Sequence, residues 1–340
     1  MLKLEIILLT NNVVLPFQNL QRDYNLDFLE LNKLFASKSL AEHGLGFLIN
    51  VYEVDSDKSP FNLELIKQII FDTGGTNQTF LHNLDLRGYP LYDTDIIVLS
   101  HWHYDHSGGL YNILERINAP VTILYHKDAA YERFFNRSAE INPEDLLKKK
   151  RNAIQEYLNS SKMVNQLPID SDRIKKLEGK LVMHDNLENI FQSNNLKMMV
   201  SGEIRRTHKE EEFSNFLINR NGVLMKDEIL DDKCLIIESE NSIILLNGCC
   251  HSGIMNTLDY VRNISGKPIS HIIGGFHMAN SSRERLSSTL NYLSNYQKEK
   301  LILFPIHCSG ERFIESINTY KIPTVKAFNV SVGTIFNFSF

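Results

Sequence analysis

Six consecutive residues carry most of the chemistry this sequence can do. They are His101-Trp102-His103-Tyr104-Asp105-His106, between Leu99-Ser100 and Ser107-Gly108-Gly109. Imidazole nitrogen and carboxylate oxygen are donors that zinc and similar divalent ions accept. A step of two puts His101 and His103 on one side of an extended segment, so both can grip one ion. Asp105 and His106 follow at the turn and can grip a second. With 12 His and 41 acidic residues in 340, chance produces His-x-His-x-acid-His on the order of once in five hundred such chains.

A divalent ion needs about four ligands, or about five to six with solvent. The run supplies two per ion, so the others must come from distant sequence. His251 and His307 are the best candidates, with His277 third, and one of the three is left to face substrate. Asp72, in Phe71-Asp72-Thr73-Gly74-Gly75, can accept the free ring N–H of a ligand histidine and fix its tautomer. The ordinary alternative is an Asp-Thr-Gly-Gly turn with structural duty alone. Bound divalent ions bring the pKa of water down to about 7, and two ions about 4 Å apart also steady an oxyanion. Asp105 would then both ligate and orient the attacking hydroxide. Cys249, Cys250 and Cys308 read as small buried hydrophobes. His43, His82, His126, His184, His208 and His271 lack companions at ligand spacing and read as surface or core residues, with His126 and His208 on loops near the cleft. Arg205, Arg206 and Lys209, beside Glu203, are candidate phosphate contacts, against the plainer reading of an exposed charged loop.

The elements that must position these residues are short. β-like runs cover Leu4–Leu9, Gly46–Val54, Leu65–Phe71 and Asp95–Leu99, bounded by Gly, Asp or Asn. Ile96-Ile97-Val98-Leu99 is continuously apolar, as a strand covered on both faces should be, so the metal run begins where a buried strand ends. Residues 127–195 change character. Glu144–Leu158 reads as helix with Pro143 near its first turn, Asp170–Leu177 as another, and the stretch as a mostly helical insertion or lid. Three strand–loop–helix units follow. Ser242–Asn247 runs into Gly248-Cys249-Cys250-His251, then a helix over Ile254–Asn263. Ile269–Ile273 ends in Gly274-Gly275-Phe276-His277, then a helix over Arg283–Tyr296. Lys300–Ile306 ends in His307-Cys308-Ser309-Gly310. Three strand ends of this kind on one sheet edge converge on one place.

Composition narrows the remaining classes. A hydrophobic content of 43% and a charged content of 23% are ordinary for a globular chain. A net charge of -5 leaves no footprint for nucleic acid. Lys148-Lys149-Lys150-Arg151 reads as a solvated helix end. No apolar stretch is long enough to span a membrane, and the Met1–Leu9 start reads as a strand and not a signal peptide. Four cysteines without a CxxC pair imply neither a zinc knuckle nor a disulfide framework, which makes the cytoplasm the expected compartment. Walker, GxSxG and GxGxxG motifs are absent from the sequence, so the metal must activate the nucleophile.

Together these residues resemble the metallo-β-lactamase superfamily, whose HxHxDH signature follows a buried strand, as Ser100–His106 does here. Within it the chain looks most like the branch of 7,8-dihydropterin-6-methyl-4-(β-D-ribofuranosyl)-aminobenzene-5′-phosphate synthase-type enzymes. The branch motifs stand as Glu42-His43-Gly44-Leu45, Phe71–Gly74, Ser100–Gly109, Ser201-Gly202-Glu203-Ile204, Asp227-Glu228, Gly248–Gly253, Gly274–His277 and His307–Gly310. The chain departs from the branch at Arg205-Arg206, at Cys250 and in a longer 127–195 segment. The resemblance implies an α/β (α+β) fold, a four-layer αββα sandwich over residues 1–340 with the insertion within it. It also implies two divalent ions, zinc foremost with iron or manganese as alternatives. His101 and His103 would bind the first ion and Asp105 and His106 the second, with His251 and His307 completing the shells. It leaves open which ion each of His251, His277 and His307 takes. The function expected is hydrolysis or group transfer on a small phosphorylated or pterin-like substrate. A lactonase or phosphodiesterase of the same fold is the first alternative, and a metal-loaded sensor without turnover is the second.

Overall fold

The computed structural model describes residues 1–54, 63–211 and 215–340. Two large sheets stack face to face. The first has eight strands, in the order Leu29–Glu30, Ile335–Ser339, Leu2–Thr10, Gly46–Val54, Leu63–Thr73, Ile96–Val98, Val121–Tyr125 and Gly179–Met183. The second has seven, in the order Glu188–Gln192, Leu196–Val200, Cys234–Ser239, Ile243–Asn247, Ile269–Gly274, Leu301–Pro305 and Val325–Ala327.

Side chains alternate across a strand, so one apolar strand can serve two cores. Leu4, Ile6 and Leu8 point inward and meet Leu235, Ile237, Leu246 and Phe304 of the opposite sheet. Ile7 and Leu9 point outward, into a core closed by the helices Thr79–Arg87 and Leu110–Ile117. Ile236, Leu245 and Leu303 face outward from the second sheet. There they pack on the helices Ile254–Ile264, Arg283–Tyr296 and Glu311–Tyr320. The result is the four-layer αββα sandwich. No helix among the described residues is long and apolar enough to cross a membrane.

The strands over Gly46–Val54 and the helix over Arg283–Tyr296 fall where the hydrophobic pattern puts them. The 127–195 segment does not. In place of a helix over Glu144–Leu158 stand the 3-10 turns Pro143–Leu146 and Arg151–Ile154 and a single helical turn, Gln155–Asn159. The segment is mixed and not mostly helical: its C-terminal part supplies Gly179–Met183 to the first large sheet and Glu188–Gln192 to the second. Arg133–Asn136 and Met163–Gln166 join Phe216–Arg220 and Val223–Lys226 in a separate four-stranded sheet. Phe134, Ile141, Leu146, Ile154, Met163, Leu217 and Leu224 give that sheet its own small core. A Lys- and Glu-rich stretch thus ends in turns because its few apolar side chains are needed on a sheet face, and burial overrides helix propensity.

Register explains why distant histidines meet. Ile243–Asn247, Ile269–Gly274 and Leu301–Pro305 run parallel, with Asn247 beside Gly274 and Gly274 beside Pro305. Their carboxyl ends are level, so the loops beginning at Gly248, Gly275 and Ile306 leave one edge together. Across the sandwich, Leu63–Thr73 and Ile96–Val98 are also parallel, pairing Phe71 with Val98. The two edges touch: a Cβ on Gly248 would lie 2.1 Å from Ser100 Oγ. Only glycine fits there.

Candidate metal centre

Ser100 leaves the strand Ile96–Val98 and starts the metal run. His103 keeps an extended backbone and caps the short helix Tyr104–Ser107, which places Asp105 and His106 in its first turn. The turn is held against Gly74-Gly75, whose backbone comes so near that a Cβ on Gly108 would meet Gly75 O at 2.1 Å.

Asp72 is the hub beneath this turn. It is fully buried. Its Oδ1 accepts the Ser100 backbone N–H at 2.7 Å, and its Oδ2 accepts both the Ser100 hydroxyl and His106 Nδ1–H at 2.7 Å. The Ser100 oxygen, having given its proton to Asp72, accepts His101 Nδ1–H at 2.9 Å. His307 Nδ1–H donates to Asn12 Oδ1 at 3.0 Å. In all three rings the Nδ1 proton is spoken for, which leaves Nε2 as the atom able to meet a cation, the way outer partners orient metal-ligating imidazoles. Asp72 therefore has the orienting role, not that of a bare turn. Replacing Asp72 with asparagine is expected to weaken metal retention by about 10- to 100-fold, with little change in fold. Competition with a chromophoric chelator measures it, and an unchanged affinity would remove Asp72 from the centre.

The donors form two sets. Ligand atoms of Asp105, His106, Cys249 and His307 lie within 4.8 Å of one another, as do those of His101, Cys249 and His251. His103 stands beside the second set, its ring 4.5 Å from that of His101 and 5.0 Å from that of His251. A third group, Cys249, His277 and Cys308, adjoins them. His101 falls in one set, and Asp105 and His106 in the other. The place of Cys249 departs from expectation: far from being a passive buried hydrophobe, its Sγ lies 3.0 Å from His106 Nε2 and belongs to every one of these groups. Cys250 is the inert one, packed in the outer core with its thiol 3.4 Å from Thr257 Oγ1.

His43 is a second residue that sequence reasoning passed over. Its Nε2 lies 3.3 Å from Asp105 Oδ2, and its ring stacks at 4.8 Å on that of His307. His126 and His208 are kept away from the centre by Glu203 and Asp259 respectively. Glu203 is occupied by His126 at 2.9 Å and Lys127 at 3.0 Å. Arg206 lies 3.4 Å from Glu228. Glu203, Arg205, Arg206 and Lys209 are not among the described residues that line the cleft. The structure brings His101, His103, Asp105, His106, His251, His277 and His307 together, and leaves Glu203 and Arg206 outside.

The electrostatics suit cation binding. Burial holds His101 and His251 neutral, with pKa values well below the usual range, and pushes His103 down to about 3. Neutral imidazoles have free lone pairs. Burial also works against charge on His106, yet Asp72 and Asp105 carry its pKa up to about 9. Burial disfavours an ionised Asp105, but His106, His307 and His43 outweigh it and hold the carboxyl well below the usual carboxylate range. The Nε2 atoms of His101 and His103 are buried with no hydrogen-bond partner among the described residues. A buried polar atom left without a partner is costly, and a cation would satisfy both. The residues fit divalent cation binding; sulfur donors such as Cys249 suit zinc and iron better than manganese.

Behind the centre lies a buried ionic clamp that sequence reasoning also missed. Arg133 places Nη2 2.8 Å from Asp231 Oδ1 and Nε 3.3 Å from Asp227 Oδ2, and Asp231 Oδ2 accepts the Trp102 backbone N–H at 2.7 Å. Asp232 accepts the Ser252 N–H at 2.7 Å and so holds the loop bearing Cys249 and His251. Four non-glycine residues at these strand ends adopt left-handed backbone: Asp72 (φ 59°), Cys250 (φ 60°), His277 (φ 47°) and His307 (φ 56°).

The centre opens into a cleft of about 650 Å³. The four-stranded sheet contributes Phe134, Phe135 and Phe216 to its walls. Phe216 stacks on His103 with ring centroids 4.9 Å apart and an interplanar angle of 13°.

Comparison with known proteins agrees with this picture. The sequence model of the metallo-beta-lactamase superfamily matches residues 67–184, the part holding Asp72 and the HxHxDH run. An uncharacterized protein of Methanocaldococcus jannaschii is 29% identical over 286 residues, 83% of this chain and 89% of its own length. The 7,8-dihydropterin-6-methyl-4-(beta-D-ribofuranosyl)-aminobenzene-5′-phosphate synthase of the same organism is 29% identical over 279 residues, 79% of this chain and 82% of its own. A crystal structure described as a metal-dependent hydrolase of the β-lactamase superfamily superposes with a TM-score of 0.64 at 20% identity, covering 99% of each chain. In layering and strand-end histidines this chain has the metallo-β-lactamase fold, and its residues 67–184 match the sequence model of that superfamily.

Proposed function

We propose that the chain is a metal-dependent hydrolase or group-transfer enzyme that acts on a small phosphorylated or pterin-like molecule at a two-cation centre. One observation carries the reading: two sets of nitrogen, oxygen and sulfur donors, sharing Cys249, open into one cleft with a stacked aromatic wall. When bound, the cations supply Lewis acidity, making water acidic enough to attack at neutral pH and steadying negative charge as it develops. The remaining work falls to the chain. The His103–Phe216 stack offers a flat face to a ring. Asp105, ionised and buried, can accept a proton in reach of the centre. His43, half-exposed at the rim and within hydrogen-bonding reach of that carboxylate, can pass the proton to solvent. The name of the archaeal synthase supports a phosphorylated, pterin-related substrate class.

Elemental analysis of the purified chain, followed by a turnover panel of pterin phosphates, bis-nitrophenyl phosphate and lactones, tests the proposal. Two equivalents of zinc or iron with turnover of a phosphorylated compound support it. Turnover confined to lactones would move the substrate class. Failure to retain metal after reconstitution would overturn it.

A further inference from the structure

The wall of the cleft holds a buried guanidinium that feels the Glu211 carboxylate at a distance but makes no close ion pair among the described residues. Arg285 lies in the first turn of the helix Arg283–Tyr296 and is only 6% exposed, yet it lines the cavity with His277 and Ser281. Its Nε and Nη2 are buried without a hydrogen-bond partner, and no carboxylate among the described residues lies within ion-pair distance. Ser281 Oγ, on the same loop, is likewise buried and unpartnered. A guanidinium cannot shed its proton, so burial does not neutralise it. The nearest acidic candidate, Glu211, is committed elsewhere. Its carboxylate accepts Met255 N–H at 3.1 Å, Asn256 N–H at 3.0 Å and Asn256 Nδ2–H at 2.9 Å at the start of another helix. The helix beneath Arg285 is already capped by Ser282 Oγ, which accepts the Arg285 backbone N–H at 3.1 Å. The side chains, and not the helix end, are what await a ligand.

We propose that Arg285 and Ser281 form an oxyanion subsite that holds the phosphoryl group of the substrate while its reacting part meets the metal centre. The proposal rests on the reading of a phosphorylated substrate and adds the residues that recognise it. The planar fork of arginine matches two phosphoryl oxygens, and a serine hydroxyl donates to a third. The loop from His277 to Arg285 joins the two regions: His277 packs at 4.3 Å on His251 of the centre, and eight residues later stands the guanidinium. Arg137, exposed after the strand Arg133–Asn136, lines the same cavity and adds positive potential.

Calorimetric titration of the metal-loaded full chain with sulfate tests this. Sulfate shares the shape and charge of a phosphate dianion but is a weaker base and competes less for the metals. Arg285→Met is expected to weaken sulfate binding about tenfold or more, Ser281→Ala several-fold, with metal content unchanged. Arg285→Met should also melt no lower than the parent chain, because an unpaired buried charge has been removed. Sulfate affinity unchanged in both variants overturns the proposal, as does a large loss of thermal stability in Arg285→Met with binding intact, which would make the arginine structural. Should Arg285→Met not fold, Arg285→Lys and Ser281→Ala carry the same comparison. Acetate binding as tightly as sulfate would replace the phosphoryl group with a carboxylate and also overturn it. Loss of turnover with sulfate binding intact would count against the proposed function alone.

Discussion

Replacing Asp105 with alanine is expected to lower turnover by at least about three orders of magnitude, about 4 kcal/mol of transition-state stabilisation, while the chain still folds. The carboxylate touches three imidazoles: His307 at 3.2 Å, His43 at 3.3 Å and His106 at 3.8 Å. Removing it takes one donor from the Asp105–His106–Cys249–His307 set and the only carboxylate in it. It also breaks the route by which His43 reaches the centre. The fold should persist, because Asp105 packs against none of the apolar cores. Metal analysis is expected to fall from two equivalents toward one, and circular dichroism to remain unchanged. Turnover within tenfold of the parent would exclude Asp105 from the chemistry. The His103→Ala variant is expected to behave alike, losing metal through the other set.

Arg133→Ala should be the most destabilising single substitution near the site, costing about 3–5 kcal/mol in urea unfolding. Arg133 is 2% exposed and lies between Asp227 and Asp231, each 1% exposed. Cutting the side chain to a methyl group leaves two buried carboxylates facing each other without a counter-charge. Asp231 also fixes the Trp102 backbone between the two leading histidines, so metal affinity should fall with stability. A loss of under 1 kcal/mol would mean that water or a rearranged lysine compensates the acids, and would remove the clamp from the account of how the loop is held.

The metal run was legible because its information is local: a period of two, a buried strand before it and glycines after it. The three strand-end histidines were legible because each repeats the same short grammar of apolar run, glycine and imidazole. Cys249 carried a readable signal, since it stands two residues before His251 as His101 stands before His103. Its ordinary fate as a small buried side chain masked it. Arg133 and Arg285 had no local signal, and the Glu42–Leu45 motif that holds His43 did not say what its imidazole touches. The contacts of His43 with Asp105 and of Arg133 with Asp231 join residues 62 and 98 positions apart, which no spacing rule reports. Asp227-Glu228 stood out as a motif, and the structure assigns its aspartate to the clamp. Arg206 and Glu203, offered as candidate ligand contacts, do not line the cleft and lie beside Glu228 and beside His126 and Lys127 respectively. The 127–195 segment was misread because composition outvoted context. Phe134 and Met163 on the short sheet share a core with Leu146 and Ile154 of that stretch, a long-range contact that composition does not report.

The four left-handed residues at the strand ends carry a consequence for how such a protein ages in evolution. Each costs about 1–3 kcal/mol relative to a relaxed backbone, and together they rival the net stability of about 5–15 kcal/mol typical of a folded domain. Glycine would sit there at ease, but at positions 72, 277 and 307 it would remove an imidazole or the carboxylate that orients one. A lineage that kept this architecture while abandoning its chemistry would find a cheap route to heat tolerance in those four positions.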